Sequence, residues 1–368
     1  MMVSGVSIPT SRHRHALDSR GDDVLSIGLA IPMSGPGGIF ASSCEAVAEL
    51  CAHELNLAGV AGREVRIELI DASLPPELIA LEVDGLIDER RIDALTGWHI
   101  SSVREHVAPV TVGRIPYVYT SLYEGGEARP GVFCVGETPR QQIQPALAWM
   151  RDTLGCRRWH VVGADYIWPR GSARAVTGFA HELGLDLVGR CFVRYGTEDF
   201  APVMRSLERS TADAVMILLV GQDAVEFNRA FAAHGLHERL LRLSPLMEEN
   251  MLLASGADAT GNLYASAGYF RSLTTAGSLD LVGRYADRFG PDAPPLNNQA
   301  ESCYEGITLL AELIGAAHCT HVDCLQQVSE GVGYDGPRGP VSLTDRHLQQ
   351  PVHLARADGL DFHVLTAL

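Results

Sequence analysis

Short apolar segments alternate along the chain with segments in which apolar residues recur every three or four positions. Residues 24–31 (VLSIGLAI) are almost continuously apolar, and residues 64–71 (EVRIELID) form a second strand-like segment. A continuously apolar strand is typical of a parallel sheet that is covered on both faces. The pattern therefore predicts βαβ units. Between the two strands, apolar side chains recur at helical spacing, at Phe40, Cys44, Val47, Cys51 and Leu55.

The same alternation starts again near Pro139. Residues 158–165, 187–194 and 213–221 are strand-like, with helical segments between them, and residues 298–317 form a long helical segment. A chain of 368 residues exceeds what one hydrophobic core usually holds. We therefore predict an α/β protein with two Rossmann-like lobes, each built around a central, mostly parallel sheet.

Polar and aromatic segments begin where three of the predicted strands stop. These are TGWHISS at 96–102, YVYTSLYEG at 117–125 and ADYIWPR at 164–170. Ligands of open α/β sheets bind outside the carboxyl ends of the strands, so the three segments predict one pocket. Ser101 also begins a helix, and its N–H and hydroxyl could hold a carbonyl or carboxylate oxygen there.

Composition and charge exclude several classes of protein. The sequence contains no lysine, which excludes a Walker A phosphate loop, a Schiff base and a Ser-x-x-Lys nucleophile pair. A formal net charge of −16 repels nucleic acid and anionic lipid. We therefore predict no direct binding to nucleic acid, and no membrane insertion, since no apolar run approaches the length of a membrane span.

Residues 1–23 are predicted to form a mobile tail. They include basic and histidine residues at positions 12–15 but no apolar run of the length that a secretory signal requires. This predicts a cytoplasmic protein, with a periplasmic or extracellular location as the alternative if a signal peptide has been removed.

The cysteines are predicted to be free thiols in a reducing compartment. Cys44 and Cys51 lie on one predicted helix about 10 Å apart along its axis, too far to bridge each other. The segment HCTHVDC offers metal-ligand side chains, but it lacks paired CxxC or HxxxH spacings. We favour a turn in which Thr320 or Asp323 caps the next helix, and we predict no metal and no cofactor. The four ligand-type residues are His318, Cys319, His321 and Cys324.

Enzyme motifs are weak or missing. The segment SGPGG at 34–38 follows the first strand, but the pattern GxGxxG fails at its third glycine. GxSxG, HExxH and CxxC do not occur. A Cys/His or carboxylate-pair hydrolase stays open from sequence, but no motif locates one, and we predict a protein without catalytic residues.

Seven segments of the chain resemble a known protein family. About residues 24–360 resemble type I periplasmic binding proteins, which include leucine/isoleucine/valine-binding proteins, and most closely the amide-sensing negative regulator of aliphatic amidase operons. The resemblance implies a bilobed clamshell with three crossovers and a ligand cleft between the lobes. It assigns 24–137 plus 267–336 to one lobe and 138–266 plus 337–368 to the other. The segments are PMSGPGG, GWHISSVRE, YVYTSLYEGGE, GADYIWPRG, VGQDAVEFNRAFA, AGYF and GPRGPVSL.

The same resemblance implies a set of ligand-binding residues. Four of them depart from the regulator: His99 and Trp168 replace tyrosines, Ser121 replaces a threonine and Leu122 a proline. These changes alter the size and polarity of the pocket, so the ligand need not be acetamide. His99 could titrate or donate a hydrogen bond, or could equally be a satisfied histidine near a strand end. The full set is His99, Ser101, Tyr119, Ser121, Leu122, Tyr166 and Trp168.

Glu248 is a further candidate. In amino-acid-binding relatives of this fold an acidic residue of the second lobe holds the ligand's ammonium group, and PLMEEN places Glu248 or Glu249 near that position. The simpler alternative is a solvated pair of carboxylates at a helix start.

The preferred function is a cytoplasmic ligand sensor that regulates an amidase-type operon, holding an RNA-binding antiterminator in check until an amide, urea or amino acid binds. The alternative is the substrate-binding subunit of an importer that delivers amides, urea or branched-chain amino acids to an ABC permease. A ligand-gated domain of another regulator is a third interpretation. The sequence leaves a homodimer open.

Overall fold

The computed structural model describes residues 23–368. The predicted tail lies outside the described residues apart from Asp23, whose carbonyl accepts a hydrogen bond from the Glu64 N–H at 2.6 Å. None of the helices in the described part of the chain is long and apolar enough to cross a membrane.

Strands and helices alternate through most of the chain, as the hydrophobic pattern predicts. In chain order the strands are β1 Val24–Ile31, β2 Glu64–Asp71, β3 Ala94–Gly97, β4 Tyr117–Tyr119, β5 Val132–Cys134, β6 Arg158–Ala164, β7 Asp186–Val193, β8 Ala214–Leu218, β9 Leu241–Ser244, β10 Leu263–Ala267, β11 Gly333–Gly336, β12 Gly339–Thr344, β13 His347–Gln349, β14 His353–Asp358 and β15 Asp361–Ala367.

The helices complete the βαβ units. They are α1 Ala41–Ala58, α2 Pro76–Asp88, α3 Ser101–Thr111, α4 Pro139–Leu154, α5 Ile167–Leu183, α6 Ala201–Glu208, α7 Gln222–Ala233, α8 Glu249–Ser255, α9 Ala276–Phe289, α10 Asn298–Ala317 and α11 Val322–Val328.

The strands form two sheets. In the first, β2, β1, β3, β4 and β5 are parallel neighbours, and β13, β12 and β11 continue the sheet beyond β5. In the second, β7, β6, β8, β9 and β10 are parallel neighbours, and antiparallel β14 and β15 continue it beyond β10. The predicted fold class, two α/β lobes around mostly parallel sheets, is confirmed.

One predicted lobe boundary is wrong. Residues 337–368 were assigned to the second lobe, but β12 and β13 belong to the first sheet. The physical reason is the tight β11–β12 hairpin, in which Gly336 pairs with Gly339, so that β12 must lie beside β11. Only β14 and β15 from this segment extend the second sheet.

Successive residues of β1 face opposite helix layers. Leu29 and Ile31 belong to the apolar cluster that contains α1 and α10 side chains, such as Val47 and Ile307. Ala30 belongs to the cluster formed with α2 and α3. Because neighbouring side chains of a strand point to opposite faces, a strand buried on both sides is apolar along almost all of its length. In β1 the exception is Ser26, which is not fully buried.

The chain crosses between the lobes after β5, after β10 and after β13, and buried polar groups join these crossings. The Glu137 carboxylate accepts a hydrogen bond from the Gly268 N–H at 2.5 Å, joining the first crossing to the second. Gln350 donates to the Val135 carbonyl at 2.7 Å, joining the third to the first. Arg338, in the β11–β12 turn, contacts Glu137 at 3.5 Å and also donates to Gln350. Hydrogen bonds and an ion pair therefore link all three crossings.

A second polar contact crosses between the lobes at α8. Glu248 precedes α8, and its carboxylate accepts hydrogen bonds from the Asn298 N–H at 2.9 Å and the Gln299 side chain at 3.0 Å, both at the start of α10. Burial raises the pKa of Glu248 to about 8, and the neighbouring charge of Glu249 adds to the effect. Removing a carboxylate from water disfavours its charged form, so this group holds its proton unusually long.

Stability is therefore expected to fall as pH rises from about 5 to about 8. In that range the folded chain keeps the Glu248 proton while the unfolded chain, with its ordinary pKa of 4.5, has lost it. One such group contributes a slope of up to about 1.4 kcal/mol per pH unit. Glu248→Gln should reduce this slope in urea unfolding at pH 5, 6, 7 and 8. Exposed Glu182→Gln is the control, and equal slopes in wild type and Glu248→Gln would contradict the assignment.

Gly97, the last residue of β3, allows close approach of β3 to β1. Its φ is 135°, and an added Cβ would lie 2.2 Å from the Ala30 carbonyl oxygen. Gly97→Ala should lower the free energy of unfolding by about 2 kcal/mol or more, because both the dihedral and the contact are unfavourable for alanine. Gly85→Ala is the matched control: nothing lies within 4 Å of its added Cβ in helix α2, so it should be neutral or stabilising by up to about 1 kcal/mol. Equal losses in the two variants, measured by urea titration, would contradict this account.

Candidate ligand-binding site between the lobes

A small cavity lies between the carboxyl ends of the strands of the two sheets. Its volume is about 10 Å³, which is room for about one water molecule. All predicted site residues except Glu248 line it. The full lining is Trp98, His99, Ile100, Ser101, Tyr119, Ser121, Leu122, Tyr166, Trp168, Val220 and Leu246.

Each lining residue of the first lobe comes directly from a strand end or a helix start. His99 follows β3, Tyr119 ends β4, and Ser121 follows two residues later. Ser101 is the first residue of α3, whose preceding residue, Ile100, supplies no side-chain cap. The N–H groups of a first helical turn lack intrahelical partners, so this end of the cavity favours an oxygen acceptor.

The second lobe contributes mostly aromatic and apolar surface. Tyr166 precedes α5, and Trp168 lies in its first turn. Their ring centroids are 6.3 Å apart, and Tyr166 also meets Tyr195 edge-on at 5.5 Å. Val220 and Leu246, which follow β8 and β9, complete this wall. The lobes therefore present a polar wall and a largely aromatic wall to the same ligand.

The hydroxyl hydrogens of the polar wall are already used within the protein. Tyr119 and Ser121 both donate to the His99 carbonyl, at 2.9 and 2.7 Å, and Ser121 accepts from the His99 N–H at 3.0 Å. Ser101 donates to the Glu124 carboxylate at 2.7 Å. These hydroxyl oxygens retain lone pairs, so they are acceptors for a ligand N–H or O–H.

His99 is neutral. Burial lowers the pKa of its imidazole to about 3, and the positive charge of Arg104 lowers it further, although a hydrogen bond with the Ile100 carbonyl opposes this. Its Nε2 lies 2.9 Å from the Tyr117 hydroxyl. Of the two alternatives, the geometry favours a satisfied histidine near a strand end, because the ring is fully buried and both of its nitrogens are hydrogen-bonded.

No residue that carries a charge at neutral pH lines the cavity in the described part of the chain. The nearest ionic group is a cluster behind Ser101, centred on Arg104, which is 2% exposed. Arg104 pairs with Glu124 at 2.8 Å and Glu127 at 3.1 Å, and its guanidinium lies over the Tyr123 ring at 4.8 Å. The cluster sits behind the polar wall and does not face the ligand space.

The placement of Glu248 at the ligand is wrong. Both of its carboxylate oxygens accept hydrogen bonds from the start of α10, as described above, and it does not line the cavity. Glu249 is also directed elsewhere, since one of its oxygens accepts from the Arg271 N–H at 2.8 Å. Both residues lie at the start of α8, and each carboxylate accepts a hydrogen bond from a backbone N–H of another part of the chain.

The HCTHVDC segment is a turn, but its details differ from the prediction. His321 caps α11, accepting from the Asp323 N–H at 3.4 Å. Cys319 and Cys324 pair in a disulfide, whereas the remaining six cysteines are free. The expectation of free thiols throughout is therefore wrong for this pair. Within residues 23–368, no three His, Cys, Asp or Glu side chains are arranged to hold a metal.

Sequence reasoning missed four wall residues and one residue that contacts the wall. Val220 lies in the strand-like segment 213–221 and begins VGQDAVEFNRAFA, but it was not among the predicted ligand-binding residues. Trp98 and Ile100 lie inside the TGWHISS segment, which is predicted to contribute to the pocket, but they are not among the predicted ligand-binding residues. Leu246 follows β9, which is not among the strands predicted from the sequence. Glu124 belongs to the YVYTSLYEGGE segment and binds Ser101.

The model for the periplasmic binding protein family matches residues 24–361 of the chain. One similar solved structure is a solute-binding protein of an ABC transporter from Rhodopseudomonas palustris in complex with 3,4-dihydroxybenzoic acid. It is 20% identical with a TM-score of 0.84, and the match covers 94% of this chain and 98% of that one.

Two further solved structures are similar. An ABC transporter substrate-binding protein from Sphaerobacter thermophilus is 22% identical with a TM-score of 0.81, over 94% of this chain and 98% of the other. The branched-chain amino acid transporter substrate-binding protein LivJ from Streptococcus pneumoniae, in complex with isoleucine, is 15% identical with a TM-score of 0.81, over 94% and 99%. The chain therefore belongs to the periplasmic binding protein family and has the type I clamshell fold.

Proposed function

We propose that this protein is the substrate-binding subunit of an ABC importer and that its ligand is a small uncharged molecule of the amide or urea type. The observation that carries the proposal is the narrow cavity between the lobes, whose lining side chains are all neutral. One end offers N–H donors at the start of α3, and the adjoining hydroxyl oxygens offer lone pairs. An amide or urea carries a carbonyl acceptor and N–H donors within the same small group.

The neutral lining argues against charged ligands. A zwitterionic amino acid brings an ammonium group, and burying it without a paired carboxylate is costly. Glu248, the residue expected to supply that carboxylate, binds α10 instead. Aromatic carboxylates and isoleucine, which occupy the solved relatives, are therefore expected to bind this protein more weakly than a neutral amide.

Binding is expected to proceed by closure of the lobes without chemistry. A ligand held between Ser101 of the first lobe and Trp168 of the second contacts both only when the lobes are together, so it shifts the equilibrium toward the closed form. A serine nucleophile requires an adjacent base. The His99 ring nitrogen is bonded to Tyr117 rather than to either cavity serine, and the Glu124 carboxylate beside Ser101 is paired with Arg104.

The importer role is supported by the solved relatives, which are solute-binding proteins of ABC transporters. In that role the partner is an ABC permease, and the protein works outside the cytoplasmic membrane.

A second candidate is the cytoplasmic amide sensor that controls an RNA-binding antiterminator. It is favoured by the position of two segments that resemble the amidase regulator, YVYTSLYEGGE and GADYIWPRG, which supply Tyr119, Ser121, Leu122, Tyr166 and Trp168 to the cavity.

Ligand binding is tested by calorimetry with acetamide, propionamide and urea against acetate, propionate, isoleucine and 4-hydroxybenzoate. The amides or urea should bind and raise the melting temperature, because a ligand of the folded state stabilises it. Ser101→Ala should weaken binding about 3- to 10-fold, since it removes one hydrogen bond, and Trp168→Phe should also weaken it by removing wall contacts. Trp149→Phe and Ser329→Ala, outside the cavity lining, are the controls. Tight binding of only the charged ligands would overturn the proposed ligand class.

The two roles are separated by cell fractionation and co-purification. The importer role predicts mature protein outside the cytoplasmic membrane and, in membrane extracts, association with an ABC permease. Recovery of the protein in the cytoplasm, bound to an RNA-binding protein and released by an amide, would replace the importer role with the sensor role.

A further inference from the structure

We propose that Glu124 is a positioning residue that sets ligand specificity by fixing the direction of the Ser101 hydroxyl. With the Ser101 hydrogen held by Glu124, the Ser101 oxygen is an acceptor toward the cavity and selects ligands with an N–H over ligands with a carboxylate. This inference rests on the proposed function, because it requires that a ligand occupies the cavity between the lobes.

The hydrogen bond between Ser101 and Glu124 has only one possible direction while Glu124 is ionised. The Ser101 Oγ lies 2.7 Å from the Glu124 Oε2. An ionised carboxylate accepts hydrogen bonds and donates none, so the serine must be the donor. Glu124 itself does not line the cavity, which means that it acts on a ligand through Ser101.

Arg104 holds the Glu124 carboxylate in place. The Arg104 Nη2 donates to the other oxygen of Glu124 at 2.8 Å. Arg104 is 2% exposed, is anchored by Glu127 at 3.1 Å and lies over the Tyr119 ring at 5.2 Å. A guanidinium fixed on several sides leaves Glu124 little freedom to turn away from Ser101. The Glu124 side chain is 12% exposed, so water competes weakly for these bonds.

The arrangement distinguishes two ligands of nearly equal shape. A primary amide can turn its N–H toward the Ser101 oxygen and its carbonyl toward the N–H groups at the start of α3. A carboxylate must place a negative oxygen near a lone pair of Ser101, with the Glu124 charge one hydrogen bond behind it. Rejecting a ligand by an unpaired or repelled polar group is the stronger form of specificity.

Glu124 also lies where the lobes touch. An added Cβ on Gly171, in α5 of the second lobe, would be 2.5 Å from the Glu124 Cβ. Gly171→Ala would therefore disturb both closure of the lobes and the placement of Glu124. The affinity control is instead Trp168→Phe, which removes wall contacts of the second lobe and leaves Glu124 unchanged. This gives a variant that affects affinity but not the choice between amide and carboxylate.

The test compares matched ligand pairs, propionamide with propionate and benzamide with benzoate, by calorimetry on the full chain. In Glu124→Gln the side-chain carbonyl can still accept from Arg104, while the amide N–H donates to Ser101 and frees the Ser101 hydrogen for the ligand. The ratio of the carboxylate Kd to the amide Kd should fall at least 10-fold. Trp168→Phe should raise both Kd values and leave the ratio unchanged.

The background of Ser101→Ala provides a second, independent measurement. Removing the Ser101 oxygen should itself lower the ratio, and adding Glu124→Gln to it should then have little further effect, because Glu124 acts through that oxygen. If Glu124→Gln folds poorly, Ser101→Ala alone still tests whether the Ser101 oxygen selects against carboxylates, since it retains the Glu124 carboxylate and its ion pair with Arg104; an unchanged ratio in that variant would overturn the inference.

Two negative results have different meanings. If the wild type binds an amide and Glu124→Gln folds but keeps the wild-type ratio, the inference fails and the proposed function stands. If the wild type binds neither member of either pair, and no other small neutral ligand of the panel, the proposed function fails and the inference falls with it.

Discussion

The site depends on one constraint, the common direction of the parallel strands within each sheet. A parallel sheet brings all its strand ends, and the chain that follows them, to one edge. The lobes place these edges against each other, so residues that follow β3, β4, β6, β8 and β9 meet around one space. The same constraint explains why the cavity is polar on one side: β3 leads directly into the start of α3, which has no side-chain cap and whose first residue, Ser101, lines the cavity.

The parts of this arrangement that follow from local patterns could be predicted from sequence. The almost continuous apolar run of β1 indicates a buried parallel strand. The helical spacing of apolar residues in α1 indicates the helix that covers it. Segments after strand ends identified the cavity walls, although the particular wall residues came from resemblance to a family. The prediction failed where position depends on distant partners. The start of α10, far along the chain, binds Glu248, and the β11–β12 hairpin returns a segment to the first lobe.

Sequence also says nothing of the direction of a hydrogen bond, and here that direction decides the chemistry. The hydroxyl groups of Ser101, Tyr119 and Ser121 can each donate or accept a hydrogen bond. In the folded chain their hydrogens go to Glu124 and to the His99 carbonyl, which leaves oxygens as acceptors. Likewise the imidazole of His99, a titrating group in isolation, is neutral once buried beside Tyr117 and near Arg104. The identity of the wall was predictable, but its polarity required the structure.

The order of the strands has a consequence for biosynthesis. The second sheet requires β14 beside β10, and β14 begins at His353. Until that segment has left the ribosome, β10 pairs with β9 on one side and has no neighbouring strand on the other. The backbone N–H and C=O groups on that free side are open to pairing with another chain. Nascent protein thus passes through a stage in which the parallel part of the second lobe is complete but unprotected. Chaperone capture or aggregation of incomplete chains is most expected at that stage.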